Sequence, residues 1–390
     1  MKILHHPDTL LHDVPELTYS SLLPSYETPA RVTSILTALE SYDITIPPLS
    51  PGATLEAAEL IHPPDYLHHL RTIHRTIADL GVLPTSGAIL PECFPPRNHS
   101  PHLQPPADPF ARLGYYAFDL CTALMESSYT SIIASADLAR QAALSLYTDP
   151  ETLTFAMCRP PGHHCGPQMA GGYCYLNNTA IAVAVLRSQL AAAGRDEQIT
   201  ILDIDFHHGN GTQEIFYGAK QPAYISIHGR GEFPYYSGYE GETGKGVGVG
   251  YNLNFPLPVE TEGEVYVETL RKAVGEVARL ETRWLVVSWG GDTVEGDPVG
   301  RFKLRPEEYR GFGEVVGQAG CAVLVVLEGG YRVGVLGECL KGFVEGVEYA
   351  LERVKEAGGW VGPEAGVVVA APGVEEPAED EVETEAVNGI

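Results

Sequence analysis

From Leu153 onward, short β-rich runs alternate with segments of helical apolar spacing, which restricts the chain to βα units around a parallel sheet. The runs are Leu153 to Cys158, Ile199 to Ile204, Ala223 to Ile227, Tyr251 to Phe255, Trp284 to Ser288 and Ala322 to Leu327. Each polar motif of interest follows one of them. Ligands in open α/β sheets gather outside the carboxyl ends of the strands, so topology alone sets these separated motifs on one rim. The expected fold class is α/β, a single domain with a central, mainly parallel β-sheet flanked by helices. It spans residues 1–356, and an acidic tail follows over residues 357–390.

One run is anomalous. In Ile201 to Gly211 (ILDIDFHHGNG), period-two alternation puts Asp203, Asp205 and His207 on one face and Leu202, Ile204 and Phe206 on the other. Carboxylates taken out of water cost several kcal/mol each unless cations or hydrogen-bond donors meet them. A bound metal removes that cost. Asp-x-His at a strand end aims two ligands the same way, and a third ligand from elsewhere leaves an open position on a zinc ion.

Composition narrows the setting. The 390 residues, 44% of them hydrophobic, suffice for a sizeable core. Seven cysteines without a CxxC pair favour a reduced interior, cytosol or nucleus, over a disulfide framework. The two histidines, aspartate and proline of Met1 to Leu10 do not read as a signal peptide, and no stretch reaches membrane-span length, so membrane insertion is not expected. A formal charge of −26 argues against nucleic acid and toward cationic ligands. Part of it sits in Gly366 to Ile390, whose glutamates, prolines and lack of aromatics predict disorder.

Before the βα region, Lys2 to Leu4 reads as a strand, and Thr28-Pro29 starts a helix with Thr28 able to cap. A second helical region runs from Ala53 to Leu80, broken at Pro63-Pro64; its histidines His62, His68, His69 and His74 lack partner carboxylates at metal spacing. The proline-crowded stretch Pro84 to Pro109 reads as a lid, binding loop or assembly arm. Helices are expected at Ala111 to Ser127 and Ser135 to Tyr147.

The rim motifs carry chemistry together. Arg159 to His164 (RPPGHH) offers adjacent histidines His163 and His164, and hydrolysis of an amide needs a base for the water and an acid for the leaving amine. The loop continues through Gly171-Gly172-Tyr173, where glycines admit a close backbone approach and Tyr173 offers a ring to line a channel, to Asn177, which caps a helix Asn178 to Leu190. Asp292, in Trp289-Gly290-Gly291-Asp292, reads as the third zinc ligand with Asp205 and His207, whereas Asp297 reads as a turn residue. Glu328-Gly329-Gly330-Tyr331 aims a phenol back over the metal, where it can donate to a forming oxyanion.

Taken together, RPPGHHCGPQMAGGYCYLNN, ILDIDFHHGNGTQEIFY, GGDTVEGDP and EGGY resemble the zinc-dependent histone deacetylase superfamily, of the arginase/deacetylase fold. The GGYCYLNN run and Glu240 to Pro258 most resemble its acetylpolyamine amidohydrolase branch, over most of the chain except the tail. The resemblance implies Asp205, His207 and Asp292 as zinc ligands, His163 and His164 as the acid/base pair, and Tyr331 as oxyanion donor. It further implies that Asp203 orients His163 and, with backbone at Asp205, His207, Ser226 and Ile227, holds a structural potassium ion. Gly172 and Tyr173 are implied to line the acyl tunnel. Some branches carry aspartate where this chain has Asn210, which leaves open which histidine is the base. Cys165 reads as a packing residue rather than a redox switch.

The implied activity is hydrolysis of an N-acetyl amide on a cationic amine, either an acetylpolyamine or acetyl-lysine. The acidic charge and the Pro84 to Pro109 loop suit acetylpolyamines, with Glu92 placed to meet a distal ammonium and the loop placed to serve as a homodimer arm. Two other readings stand beside it: a two-manganese ureohydrolase-like enzyme, and a catalytically silent scaffold that binds acetylated partners.

Overall fold

The computed structural model describes residues 1–18, 21–95 and 104–369. Its strands are β1 (Lys2–Leu4), β2 (Pro15–Thr18), β3 (Ser21–Pro24), β4 (Ile44–Thr45), β5 (Thr154–Ala156), β6 (Ile199–Asp203), β7 (Ala223–Gly229), β8 (Asn252–Leu257), β9 (Trp284–Trp289) and β10 (Ala322–Leu327). The helices are α1 (Ala30–Ala38), α2 (Pro51–Glu59), α3 (Pro64–Asp79), α4 (Pro109–Tyr115), α5 (Ser128–Thr148), α6 (Asn178–Ala192), α7 (Asn210–Phe216), α8 (Gly263–Arg279), α9 (Tyr309–Gly317) and α10 (Val333–Glu356).

Eight strands form one sheet in the order β4-β1-β5-β10-β9-β6-β7-β8, every pairing parallel. A parallel sheet needs both faces covered, and β6, β7, β9 and β10 are buried along their whole lengths. Alternation divides their side chains between two cores. Ile199, Ile201, Val286, Leu324 and Val326 pack on one face, and Leu202, Leu285, Val287, Val323 and Val325 pack on the other. Burying each such side chain stabilises the fold by about 1.5–3 kcal/mol.

The order matters for function. The four adjacent strands β5, β10, β9 and β6 lead, at their carboxyl ends, into the His163, Tyr331, Asp292 and Asp205 motifs respectively, so motifs far apart in sequence become neighbours along one rim.

The structure departs from the expectations in several places. The helix predicted over Ala111 to Ser127 stops at Tyr115, and the next one begins at Ser128 rather than Ser135. Between them the backbone is drawn into extended contacts: Ile89 and Leu124 exchange N–H···O bonds of 2.9 and 3.0 Å, and Phe118 N–H donates to Ala170 O at 3.0 Å. Asp119 Oδ1 accepts from Cys121 N–H at 2.9 Å, a local bond that competes with a helix. Thr28 contributes its carbonyl, not its hydroxyl, to the start of α1, accepting from Arg31 N–H at 3.1 Å. The β2–β3 hairpin and short β4 are additions. The proline-rich stretch carries neither helix nor strand over residues 84–95 and 104–108, and residues 96–103 lie outside the described residues. Residues 357–369 run along the domain, with Trp360 packed on both cores and Gly366 N–H donating to Tyr147 O at 2.8 Å. The remainder of the acidic tail, residues 370–390, is outside the described residues.

Several histidines serve the interior as neutral groups. His62 Nδ1 lies 2.8 Å from Pro167 O, and its Nε2 accepts from Asn177 N–H at 3.0 Å, a pairing that needs the neutral ring. Burial lowers the pKa of His5, His12 and His62 to about 4 and that of His69 to about 3. Below about 6.5 the unfolded chain takes up protons that these folded sites refuse. Stability therefore falls as pH drops from 6.5 toward 4. The unfolding free energy from urea titration at pH 5 is expected below that at pH 7, by on the order of 1 kcal/mol per histidine; a value flat across that window would contradict this.

Candidate active site

Strand β6 ends at Asp203, and the chain then leaves the sheet while Ile204 N–H still donates to Ser288 O at 2.9 Å. This turn separates the three polar residues that alternation puts on one face. Asp205 and His207 converge with Asp292 from the loop after β9, their potential ligand atoms within 4.8 Å of one another and all three residues buried. His207 Nδ1 lies 3.2 Å from Asp205 Oδ1 and 2.9 Å from Asp292 Oδ2. Backbone N–H groups orient the carboxylates: Phe206 donates to Asp292 Oδ1 at 2.9 Å, and Gly329 donates to Asp205 Oδ2 at 2.8 Å. At Gly329 a Cβ would collide with both carboxylates, so only glycine admits this approach. Burial and the facing Asp205 charge push the Asp292 carboxyl up to about 7. Two carboxylates and one imidazole around a shared point form a donor set for a borderline divalent cation.

Asp203 has a different neighbourhood. Its Oδ2 lies 3.1 Å from His163 Nδ1 and accepts from Tyr224 OH at 3.0 Å. In register it pairs with Ser226 of β7, whose Oγ lies 2.8 Å from His228 Nδ1; Ile227 follows, fully buried. His164 stands apart in its partner: Nδ1 lies 2.8 Å from Asn210 Oδ1, and Asn210 Nδ2 donates to His164 O at 3.4 Å. Burial opposes charge on both rings. At His163 the Asp205 and Asp203 carboxylates overcome it and raise the pKa to about 10, whereas His164 is held well below the usual imidazole value by burial and the neighbouring His163 and His207.

The histidine loop hangs from Glu328. This buried carboxylate accepts from Gly162 N–H at 2.7 Å and His163 N–H at 3.0 Å through Oε2, and from Thr179 Oγ1 at 3.1 Å and Ser288 Oγ at 3.2 Å through Oε1. Residues 328–330 are gripped in turn by Arg31 of α1, which donates to Glu328 O and, at 2.6 Å, to Gly330 O. Arg31 and Arg159 both bind Glu27 Oε1, at 2.7 and 2.8 Å. Asp297, read from sequence as a turn residue, does more than turn: it accepts from Val299 and Gly300 N–H through Oδ1 and from Tyr331 and Arg332 N–H through Oδ2 at 2.7–3.1 Å, tying two rim loops together.

His164, His207 and Tyr331 open onto a cavity of about 280 Å³ whose lining also includes Gly172, Tyr173 and Phe233. A wider groove of about 980 Å³ shares His164 and is lined by Asn210, Gln213 and Glu214, but it includes none of Asp205, His207, Asp292 and Tyr331. Gly172 has φ +52° and a Cβ there would strike the His164 ring; Tyr173 follows at φ +66°, its ring centroid 5.6 Å from that of Tyr331. Tyr173 OH donates to Glu16 Oε2 of the hairpin at 2.7 Å, and Asp119 Oδ2 accepts from Gly172 N–H at 2.7 Å. The Arg31 guanidinium lies 4.9 Å from the Tyr331 ring centroid.

Phe233, in the loop after β7, packs edge-to-face on His164 at 4.9 Å, a contact not legible from local sequence spacing. Asp119 and Asp297 were likewise inaccessible, since their partners are backbone groups distant in sequence. Glu92 is exposed and does not line the 280 Å³ cavity. Cys165 is fully buried with its thiol pushed up to about 12 by burial, in keeping with packing.

Comparison with known proteins bears on this geometry. Residues 25–347 match the family profile described as Histone deacetylase domain. The chain is 35% identical over 352 residues to an acetylpolyamine amidohydrolase of Mycoplana ramosa, covering 89% of this chain and 99% of the relative. It is 33% identical over 283 residues to Histone deacetylase 15 of Arabidopsis thaliana, covering 69% of this chain and 50% of that one. The crystal structure of an acetylpolyamine aminohydrolase from Burkholderia pseudomallei superposes with a TM-score of 0.80 at 28% identity, covering 90% of this chain and 99% of the other.

Removing the Glu328 carboxylate leaves the Gly162 and His163 N–H groups buried without acceptors, and each such loss costs about 1–3 kcal/mol. Glu328→Ala is therefore expected to lower the stability from urea unfolding by about 2 kcal/mol or more, and a change within 0.5 kcal/mol, roughly that of an inert surface substitution, would contradict the assignment.

Proposed function

The chain belongs to the histone deacetylase family, and from that premise we propose that it is a zinc-dependent amidohydrolase that removes acetyl from an acetylated polyamine. The observation that carries the reading is the buried convergence of Asp205, His207 and Asp292, with His207 opening onto a narrow cavity that His164 and Tyr331 also line. The donor set fits the ion. Two carboxylates and one imidazole match the three-ligand pattern of catalytic zinc, which leaves a position for water or substrate. Zinc bound there supplies Lewis-acid polarisation of the acetyl carbonyl and acidifies water. Among the described residues this is the one group of three or more His, Cys, Asp and Glu side chains with metal-holding geometry, which disfavours a two-manganese ureohydrolase. Asp203 and Ser226, in register, with carbonyls of Asp205, His207 and Ile227, suit the structural potassium that the family resemblance implies.

The remaining steps belong to this chain's side chains. The neutral Asn210 carbonyl accepts from His164 Nδ1–H, which fixes the tautomer and leaves Nε2 as the base that takes a proton from the attacking water. His163, beside the Asp203 carboxylate, is positioned to stay cationic and to return a proton to the departing amine. Tyr331 OH donates to the carbonyl oxygen as it gains charge. Gly172, Tyr173 and Phe233 exclude water around the methylene chain of the amine and hold it extended.

The relatives named for acetylpolyamines align over almost the whole chain, and the net charge of −26 favours a cationic substrate; both support polyamine over protein acetyl-lysine. Turnover of N-acetylputrescine and of an acetyl-lysine peptide by the zinc-loaded enzyme separates the two. The polyamine reading expects a higher kcat/KM for N-acetylputrescine and fails if only the peptide reacts. Site roles have a separate test. Asp205→Asn is expected to lose zinc by elemental analysis. Asp203→Asn and Tyr331→Phe should retain zinc, with the Tyr331 variant slowed by about 10²–10³, the loss typical of a single oxyanion donor. Equal zinc loss in both aspartate variants would show that the strand is divided wrongly.

A further inference from the structure

The wall of the catalytic cavity carries a carboxylate that the reaction above does not use. Glu232 lines the 280 Å³ cavity, and the residues that line it include no lysine or arginine. Its position is built by the chain around it. Phe233, the next residue, is wedged against His164 at 4.9 Å and stacked on Phe118 at 6.0 Å, which fixes the turn to the floor of the site. Tyr235 N–H closes that turn on Glu232 O at 2.8 Å, with Tyr235 itself at φ +68°. Glu232 is thus a cavity residue whose backbone is fixed by the turn, while its carboxylate pairs with Arg301.

The carboxylate is mostly sheltered, its side chain 20% exposed, and Oε1 accepts from Arg301 Nη1 at 3.0 Å. Arg301 is different: its side chain is 58% exposed, so it meets Glu232 from the solvent side. A pair open to water on one partner is screened and contributes little, so an arriving cation can share or take the carboxylate at small cost. The rings of Tyr173, Phe233 and Tyr235 line the same space and offer π faces to an ammonium.

We propose that Glu232 is a specificity-determining residue that receives a second, distal ammonium of the substrate, with Arg301 as its counter-ion in the free enzyme. This rests on the acetylpolyamine reading and adds to it the selection of acetylated amines that carry a further positive charge at the far end of the chain. It moves the role that sequence assigned to Glu92 from the proline-rich loop to the turn after β7. Arg301 then sets the threshold, because it competes with the substrate for one carboxylate.

The test uses zinc-loaded full-length enzyme, Glu232→Gln and Arg301→Gln, each with N-acetylputrescine and with N-pentylacetamide, its uncharged counterpart of similar length. The readout is the ratio of kcat/KM for the charged over the neutral substrate. A charge-assisted contact of this kind predicts a ratio roughly tenfold or more lower in Glu232→Gln, expressed mainly in KM, and higher than wild type in Arg301→Gln. Raising the salt concentration should also weaken N-acetylputrescine turnover more in wild type than in Glu232→Gln. A ratio equal in wild type and Glu232→Gln, or an equal fall for both substrates, overturns the proposal. Wild-type enzyme that hydrolyses neither substrate overturns the acetylpolyamine reading itself, and this proposal with it.

Discussion

Buried negative charge at the strand rim is the constraint on which this molecule turns. Asp203, Asp205, Asp292, Asp297 and Glu328 are all at most 6% exposed, and each has left water at a cost of several kcal/mol. The offset comes mainly from backbone. N–H groups of Gly162, His163, Phe206, Gly300, Gly329 and Tyr331 are turned onto these oxygens. Those donors belong to the loops after β5, β6, β9 and β10, so Asp205, Asp292, Asp297 and Glu328 each bind one strand's loop to another's, while Asp203 is met by the side chains of His163 and Tyr224. Satisfying the carboxylates and assembling the site are therefore the same event.

The cations are arranged with equal economy. Arg31 and Arg159 are fully buried and share the Glu27 carboxylate, while their remaining donors reach main-chain carbonyls, at Gly330 for Arg31 and at Thr9 and His12 for Arg159. Such a group is strongly destabilising when broken, because one charge is then left alone in a low-dielectric interior. Its effect here is positional. The amino-terminal helix α1, remote in sequence, becomes the support beneath the loop that carries Tyr331.

How much of this could be read beforehand follows from the range of each signal. Strand periodicity and the motifs at strand ends are local, and they led to the sheet, to the rim and to the grouping of Asp205, His207 and Asp292. The helix expected over Ala111 to Ser127 failed because a distant partner won: Ile89 claims Leu124, and Ala170 claims Phe118. The same reasoning hid Asp119, Asp297 and Phe233, whose importance lies in contacts that no local spacing announces. Alternation also misled in one respect. It put Asp203, Asp205 and His207 on a common face, whereas the strand ends at Asp203 and the chain turns before Asp205.

The donor set draws its three members from positions up to 87 residues apart in the chain, and Gly329, which braces Asp205, is 124 residues away from it. Contacts of such long sequence separation form late, once the entropy of closing large loops has been overcome by pairing of the central strands. A nascent or partly folded chain thus has no cage to offer an ion. The proposed zinc site would therefore be complete only in the finished fold, where a bound ion would tie together the loops that meet last.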